Sequence, residues 1–286
     1  MLRLYLFGSP RLERDGTALP LRRSKALALL AYLAVTGRPH SRESLQALLW
    51  SEFPDADARN NLRRELSQLR ATLGADALRT DRRQVVWAED ADTWVDVAAF
   101  TREIAAVRAH THPGELCESC GRALGAAVQL AVGELLDGFH VADSPAFEDW
   151  LFYQREELLA QLGWALEALV EWHAARSELQ TALSLARRWL SLDPLLEQPR
   201  RALMRLLARA GQPAAALRQY EEAARLLASE LGATPEAATT ALYEAIKAGE
   251  LVPAPADAAR RPPSEGASAG RAPQAAPEMP PLTSFV

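Results

Sequence analysis

The chain has 286 residues, 49% of them apolar and 24% charged, enough for about two folded domains with their own cores rather than a fibrous or wholly disordered polymer. Its net charge of −5 divides unevenly, residues 1–88 carrying 15 Lys and Arg against 9 Asp and Glu and the remainder 17 against 28. Two cysteines exclude a disulfide framework and suit a reducing cytoplasm. The longest apolar run, the ten residues Ala26 to Val35, is too short for a bilayer, and no secretion leader opens the chain, so a cytoplasmic protein with no membrane partner is expected.

In chain order, Leu2–Gly8 alternates as a half-buried strand does, and Arg11–Arg14 reads as a second strand. Asp15-Gly16 is a hairpin turn, and Thr17–Leu21 returns as a third strand. Ser24 is expected to cap a buried helix, KALALLAYLAV, ended by Gly37 and Pro39. Ser41 opens a second helix, SRESLQALLW. A short bend, Ser51–Pro54, precedes a third helix from Asp55, the expected cap, with Asp57 complementing the dipole.

Within that third helix Leu62, Leu66, Leu69 and Leu73 make one buried stripe. Asn60, Arg64 and Ser67 lie nearly opposite, flanked by Arg63 and Arg70 on one side and Asn61 and Gln68 on the other. Arg59 joins the same wet side, where Glu65 is the lone acid after the acidic start. Gly74 stops the helix, and Leu78–Thr80 and Val85–Trp87 form a hairpin with Arg82 and Arg83 at its tip. A helix glued down by leucines and carrying long donors on its far side suits a major groove, where Arg pairs with guanine and Asn or Gln with adenine. The basic tip is placed to meet phosphates or a minor groove. Residues 1–90 thus read as a winged helix-turn-helix domain whose DNA contacts are Arg59, Asn60, Asn61, Arg63, Arg64, Ser67, Gln68, Arg70, Arg82 and Arg83.

From 91 to 251 nearly everything is helical. TWVDVAAF leads into a helix over Thr101–Ala109, Gly121–Leu136 forms another, and Ser144-Pro145 starts a long one. Ala182 and Pro194 are twelve apart, as are Ala223 and Pro235, and the two copies are offset by 41 residues. They match degenerate tetratricopeptide units, with Gly211 at the glycine position of the second and Val170 in the first. Such a stack offers a partner surface and no built-in chemistry, and its Trp164, Trp189, Leu203 and Leu206 read as core. Residues 252–286, rich in Pro and Ala, read as a disordered linker. The fold class is therefore mainly α with a small N-terminal β-sheet: a winged helix-turn-helix, then a tetratricopeptide-like domain, then a disordered tail.

HTHPGELCESC brings His110, His112, Cys117 and Cys120 within eleven residues. These four could close a tetrahedral zinc site if the loop folds back. Without the second spaced pair of a zinc finger the signal is weak, and the simpler reading is two ordinary thiols beside a polar loop, with zinc the next alternative and a redox pair behind it. No metal and no cofactor is assigned. Ser, His and Asp are scattered, and neither a paired carboxylate nor a glycine-rich phosphate loop occurs, so an enzyme is not expected. The competing reading is an adaptor, its repeats binding a protein and its first domain merely structural.

LRLYLFGSPRLERDG, LRRSKALALLAYLAV, SRESLQALLW and ARNNLRRELSQLRATLG resemble the DNA-binding domain of the AfsR/SARP class of bacterial regulators, whose wing is related to that of OmpR-type proteins. VDVAAF, LLDGF, SPAFEDWL and the stretch from LDPLLEQPRR to ELGATP resemble the bacterial transcriptional activation domain that follows it. The resemblance implies homodimeric or tandem binding to direct repeats in double-stranded promoter DNA, recruitment of RNA polymerase, and no catalysis. By position it assigns the recognition helix to Asp55–Leu73, the wing to Leu78–Trp87, and the polymerase-facing bend to Ser51–Pro54. The final PLTSFV resembles the lead-in to an ATP-binding domain, as though the chain were the N-terminal part of a larger member.

Overall fold

The computed structural model describes residues 1–20, 23–74, 76–88, 92–112, 114 and 116–250. The expected tail, 252–286, lies outside these described residues, as does Leu21 of the expected third strand. Among the described residues are seven short strands and ten helices, none of the latter long and apolar enough to cross a membrane.

Strand β1 (Leu2–Tyr5) buries Leu2 and Leu4 and pairs antiparallel with β2 (Arg11–Arg14), Leu4 facing Leu12. The turn to β3 (Thr17–Ala18) runs through Asp15 (φ 49°) and Gly16 (φ 80°), the two left-handed residues a tight hairpin requires. On its other edge β1 pairs in parallel with β7 (Thr93–Val95). Helix α1 (Ser24–Thr36) is buried from Ala26 to Ala31. Its boundary residue is Arg23, not Ser24: the Arg23 carbonyl accepts the Leu27 amide at 3.1 Å, so Ser24 already lies inside the first turn and no side chain caps it. Gly37, at φ 61°, closes α1 with its amide on the Leu33 carbonyl.

His40–Ser41 forms β4, and Ser41 caps α2 (Arg42–Trp50), its hydroxyl oxygen accepting the Ser44 amide at 3.0 Å. The third helix, α3 (Asp55–Leu73), begins one residue earlier in the chain than its expected cap implied. The Pro54 carbonyl accepts the amides of Asp57 and Ala58, which places Asp55 beside Asp57 in the first turn, where both oppose the positive helix end. The hairpin β5 (Leu78–Thr80) and β6 (Gln84–Trp87) follows, and β6 also pairs with β4 to give the sheet order β4-β6-β5.

The second half starts earlier than its periodicity suggested, with α4 spanning Asp96–Ala109. Buried Asp96 decides this. Its carboxylate accepts the amides of Leu6, Phe7 and Val97 at 2.8–2.9 Å, tying the end of β1 to the first turn of α4. Burial pushes this carboxyl above its ordinary range, against the pull of the three amides. Helix α5 is Glu118–Leu130 rather than Gly121–Leu136. Beyond Leu130 the chain leaves the helix to satisfy the edge after β1: Gly8 donates to the Glu134 carbonyl, Leu136 donates to that of Leu6, and Phe7 bridges to Leu135.

Gly121, in the first turn of α5, sits flat on the Trp172 indole, where a Cβ would fall 2.4–2.8 Å from ring atoms. Gly121→Ala should therefore cost about 1–3 kcal/mol through overpacking, read as a lowered midpoint of thermal unfolding. An unchanged midpoint would mean that the ring moves aside freely.

Helix α6 (Pro145–Ala175), 31 residues long, packs on α2, α5 and α7. At its start the buried Ser144 hydroxyl donates to the Leu49 carbonyl of α2, which also accepts from Lys25. The remaining helices, α7 (Leu179–Leu192), α8 (Glu197–Arg209), α9 (Pro213–Leu231) and α10 (Ala237–Lys247), each pack on the next. Ala182 and Ala223 are buried at the repeat positions, and Gly211 takes φ 73° between α8 and α9. Trp189, Leu203 and Leu206 are core, while half-buried Trp164 lies under the Arg108 guanidinium. One continuous core runs from Leu2 to Trp189, and a second joins α7 to α10.

Candidate nucleic-acid interface

The four leucines of α3 are 1–3% exposed, with Ala58 beside them. The far side is open: Arg59, Asn60, Arg63, Arg64, Ser67 and Arg70 are exposed, and Asn61 and Gln68 are half-buried. The donor row thus points away from the core, not against the helical half.

Glu65 does not stand among these arginines as its sequence position suggested. It is 5% exposed on the leucine side, where Arg23 reaches in to its carboxylate at 2.8 Å and its second oxygen has no hydrogen-bond partner among the described residues. Position 65 follows Leu62 by three and precedes Leu69 by four, so the helical period itself turns it inward. Turning the acid inward leaves the wet side without a carboxylate from Ala58 to Leu73. At the start of the row Asp55 lies 4.0 Å from Arg59.

Within the row the Arg64 guanidinium donates to Asn61 Oδ1 at 2.5 Å, holding two candidate base-reading groups together. Arg70 donates to Thr80 Oγ1 at 3.1 Å, linking α3 to the wing. The wing tip is built by Asp81, whose Oδ1 accepts the amides of Gln84 and Arg83, each at 2.6 Å. These two bonds, Gln84 first, hold the Asp81 carboxyl below its ordinary range. Arg42, the first residue of α2, donates twice to the Asp81 carbonyl at 2.9 and 3.0 Å, and its amide donates to the Arg83 carbonyl. Both exposed tip arginines, Arg82 and Arg83, therefore project from a loop fixed at its base to the helix-turn-helix.

Arg42, Asp81 and strand β4 were not found from the sequence. The signal was a polar residue opposite the wing turn, invisible until β4 and β6 pair. The bend Ser51–Pro54 is exposed along its length, and Lys25 lies 4.9 Å over the ring of Phe53.

The other predicted cluster also comes together. His110, His112, Cys117 and Cys120 each offer a ligand atom within 4.8 Å of the rest. Cys117 and Cys120 are free thiols.

These features define the class by architecture: a winged helix-turn-helix unit carried on a helical-repeat body. Residues 95–247 match the bacterial transcriptional activator domain family. The chain belongs to that family, within the AfsR/SARP class of transcription regulators. It is 30% identical over 253 residues to the regulatory protein AfsR of Streptomyces coelicolor, covering 86% of this chain and 24% of that protein. Over 276 residues it is 30% identical to AfsR of Streptomyces griseus, covering 90% and 26%. The chain thus spans about a quarter of the length of these relatives. The structure of Mycobacterium tuberculosis EmbR in complex with a low-affinity phosphopeptide shares the fold, with a TM-score of 0.67 and 24% identity over 90% of this chain and 67% of that one.

Proposed function

We propose that this chain binds duplex promoter DNA, setting α3 in the major groove with its wing on the adjoining backbone, and activates transcription. The observation that carries this reading is the exposed donor row of α3, cleared of carboxylates by the inward turn of Glu65. Arg63, Arg64 and Asn60 read base edges. Arg59 and Arg70 flank them, and Arg82 and Arg83 hold phosphates. Residues 1–90 form the reading domain and 91–251 the activation domain. The latter pairs two copies on direct repeats and, with the Ser51–Pro54 bend, meets RNA polymerase in the cytoplasm. Similarity to AfsR supports the regulatory assignment, whereas the groove contacts rest on the geometry of α3 and the wing.

The test is a gel shift with the upstream region of the protein's own gene, run beside a pull-down of cellular proteins. Retarded DNA supports the regulator; captured protein without retarded DNA supports the adaptor reading. Affinity should fall steeply with salt, and Arg82→Ala with Arg83→Ala should weaken binding to all sequences alike while flattening the salt slope by about two. A loss of sequence preference in that double variant would move the wing from the phosphates to the bases.

A further inference from the structure

The end of α4 and the start of α5 lie side by side. His110 stands at the C-terminal boundary of α4, Cys117 at the N-terminal boundary of α5, and Cys120 in its first turn. His110 Nδ1 lies 3.1 Å from Cys120 Sγ and 3.7 Å from Cys117 Sγ, and the rings of His110 and His112 are 4.6 Å apart. All four ligand atoms fall within 4.8 Å of one another. A tetrahedral zinc ion, with bonds of about 2.3 Å to sulfur and about 2.0–2.1 Å to nitrogen, needs its ligand atoms about 3.3–3.8 Å apart.

A second observation points the same way. His112 Nε2 is shut off from solvent and hydrogen-bonds to nothing among the described residues. A ring nitrogen sealed beside two thiols and another imidazole is left without a partner unless something binds it.

The surroundings hold the segment that carries the two cysteines in place independently of any ion. Trp172 of α6 donates its indole N–H to the Leu116 carbonyl, one residue before Cys117, and its ring lies against Gly121, one residue after Cys120. Arg176 stacks on that indole at 3.9 Å and reaches Glu118 at 3.6 Å. Cys120 is buried and Cys117 half-buried, while His110 is exposed, which gives a metal a way in from one side. No catalytic role fits, since all four positions are filled by protein and none is left open for water or substrate.

We propose that His110, His112, Cys117 and Cys120 bind one zinc ion, a structural cross-link that fastens the end of α4 to the start of α5. The set mixes two nitrogens with two sulfurs, which selects zinc over calcium or magnesium. Binding releases the thiol protons as the thiolates take up the metal, with no change of oxidation state.

The untagged chain, purified under reducing conditions without chelator, tests this. Zinc content by mass spectrometry should be about one equivalent per chain, and replacement with cobalt should give the intense visible bands of a tetrahedral ion together with thiolate-to-cobalt charge transfer. Cys117→Ser and His110→Ala should each lose most of the zinc. Because a variant can fail for want of folding, the unsubstituted chain is also stripped with a chelator and reloaded with zinc alone. Its unfolding midpoint should drop on stripping and return on reloading. Absence of bound zinc, cobalt spectra without charge transfer, metal retained equally by both variants, or a Cys117–Cys120 disulfide under reducing conditions would overturn the site.

Discussion

Reversing Arg63 and Arg64 together to glutamate should abolish specific retention of promoter DNA. Both side chains are exposed on the outer face of α3, where Arg64 also holds Asn61. Each bidentate base contact is worth about 1–3 kcal/mol of discrimination, and the new carboxylates would add repulsion from the phosphates. A fall of at least a hundredfold in affinity at moderate salt is therefore expected, on the order of 3 kcal/mol. Neither side chain touches the core, so the thermal unfolding midpoint should stay unchanged. The matched control reverses Arg218 and Arg225, exposed on α9, and should leave DNA binding intact. Undiminished binding by the α3 variant, measured by fluorescence anisotropy, would remove the groove assignment. Equal loss in both variants would reduce it to a general charge effect.

The largest expected loss of stability belongs to Asp96→Ala. The substitution leaves the amides of Leu6, Phe7 and Val97 without their acceptor in a place water does not reach. An unsatisfied buried donor costs about 1–3 kcal/mol, and two or three together put the loss at about 3–5 kcal/mol. At this size of protein that is a drop on the order of 10 °C in the unfolding midpoint. Asparagine should rescue only in part, because one of its two polar atoms is an NH2 facing amide donors. Calorimetry checks both variants, and a shift for Asp96→Ala under about 2 °C would show that the amides find water or other partners.

How much of this was readable beforehand depends on the range of the interaction. The leucine seam of α3 and the Asp15-Gly16 turn follow from local periodicity and local steric rules, and the chain shows them directly. Ser24 and Asp55 were displaced as caps by the residue before each, because a good capping side chain works equally well just inside a first turn. Glu65 could have been placed by the same arithmetic that placed the leucines; its charge alone suggested water. The pairing of β7 with β1, and the departure of residues 131–136 from α5, join segments about ninety residues or more apart and carry no local signature. The donor residues of α3 and the wing were legible as a list. What was not legible was Arg42 bracing the hairpin, which depends on β4 pairing with β6. The four residues around Cys117 were also visible as a list, but their convergence is set by how α4 and α5 meet on α6.

The unbroken core between β1 and α7, reinforced where Ser144 and Lys25 share the Leu49 carbonyl, has a geometric corollary. The helical body has no swivel of its own at this seam. Once α3 is seated, the direction in which α7 points is settled to within the stiffness of the packing. Under the proposed mode of binding, two copies on successive operator sequences would then be phased by the pitch of the double helix, and the spacing between those sequences would act as a ruler for the whole body.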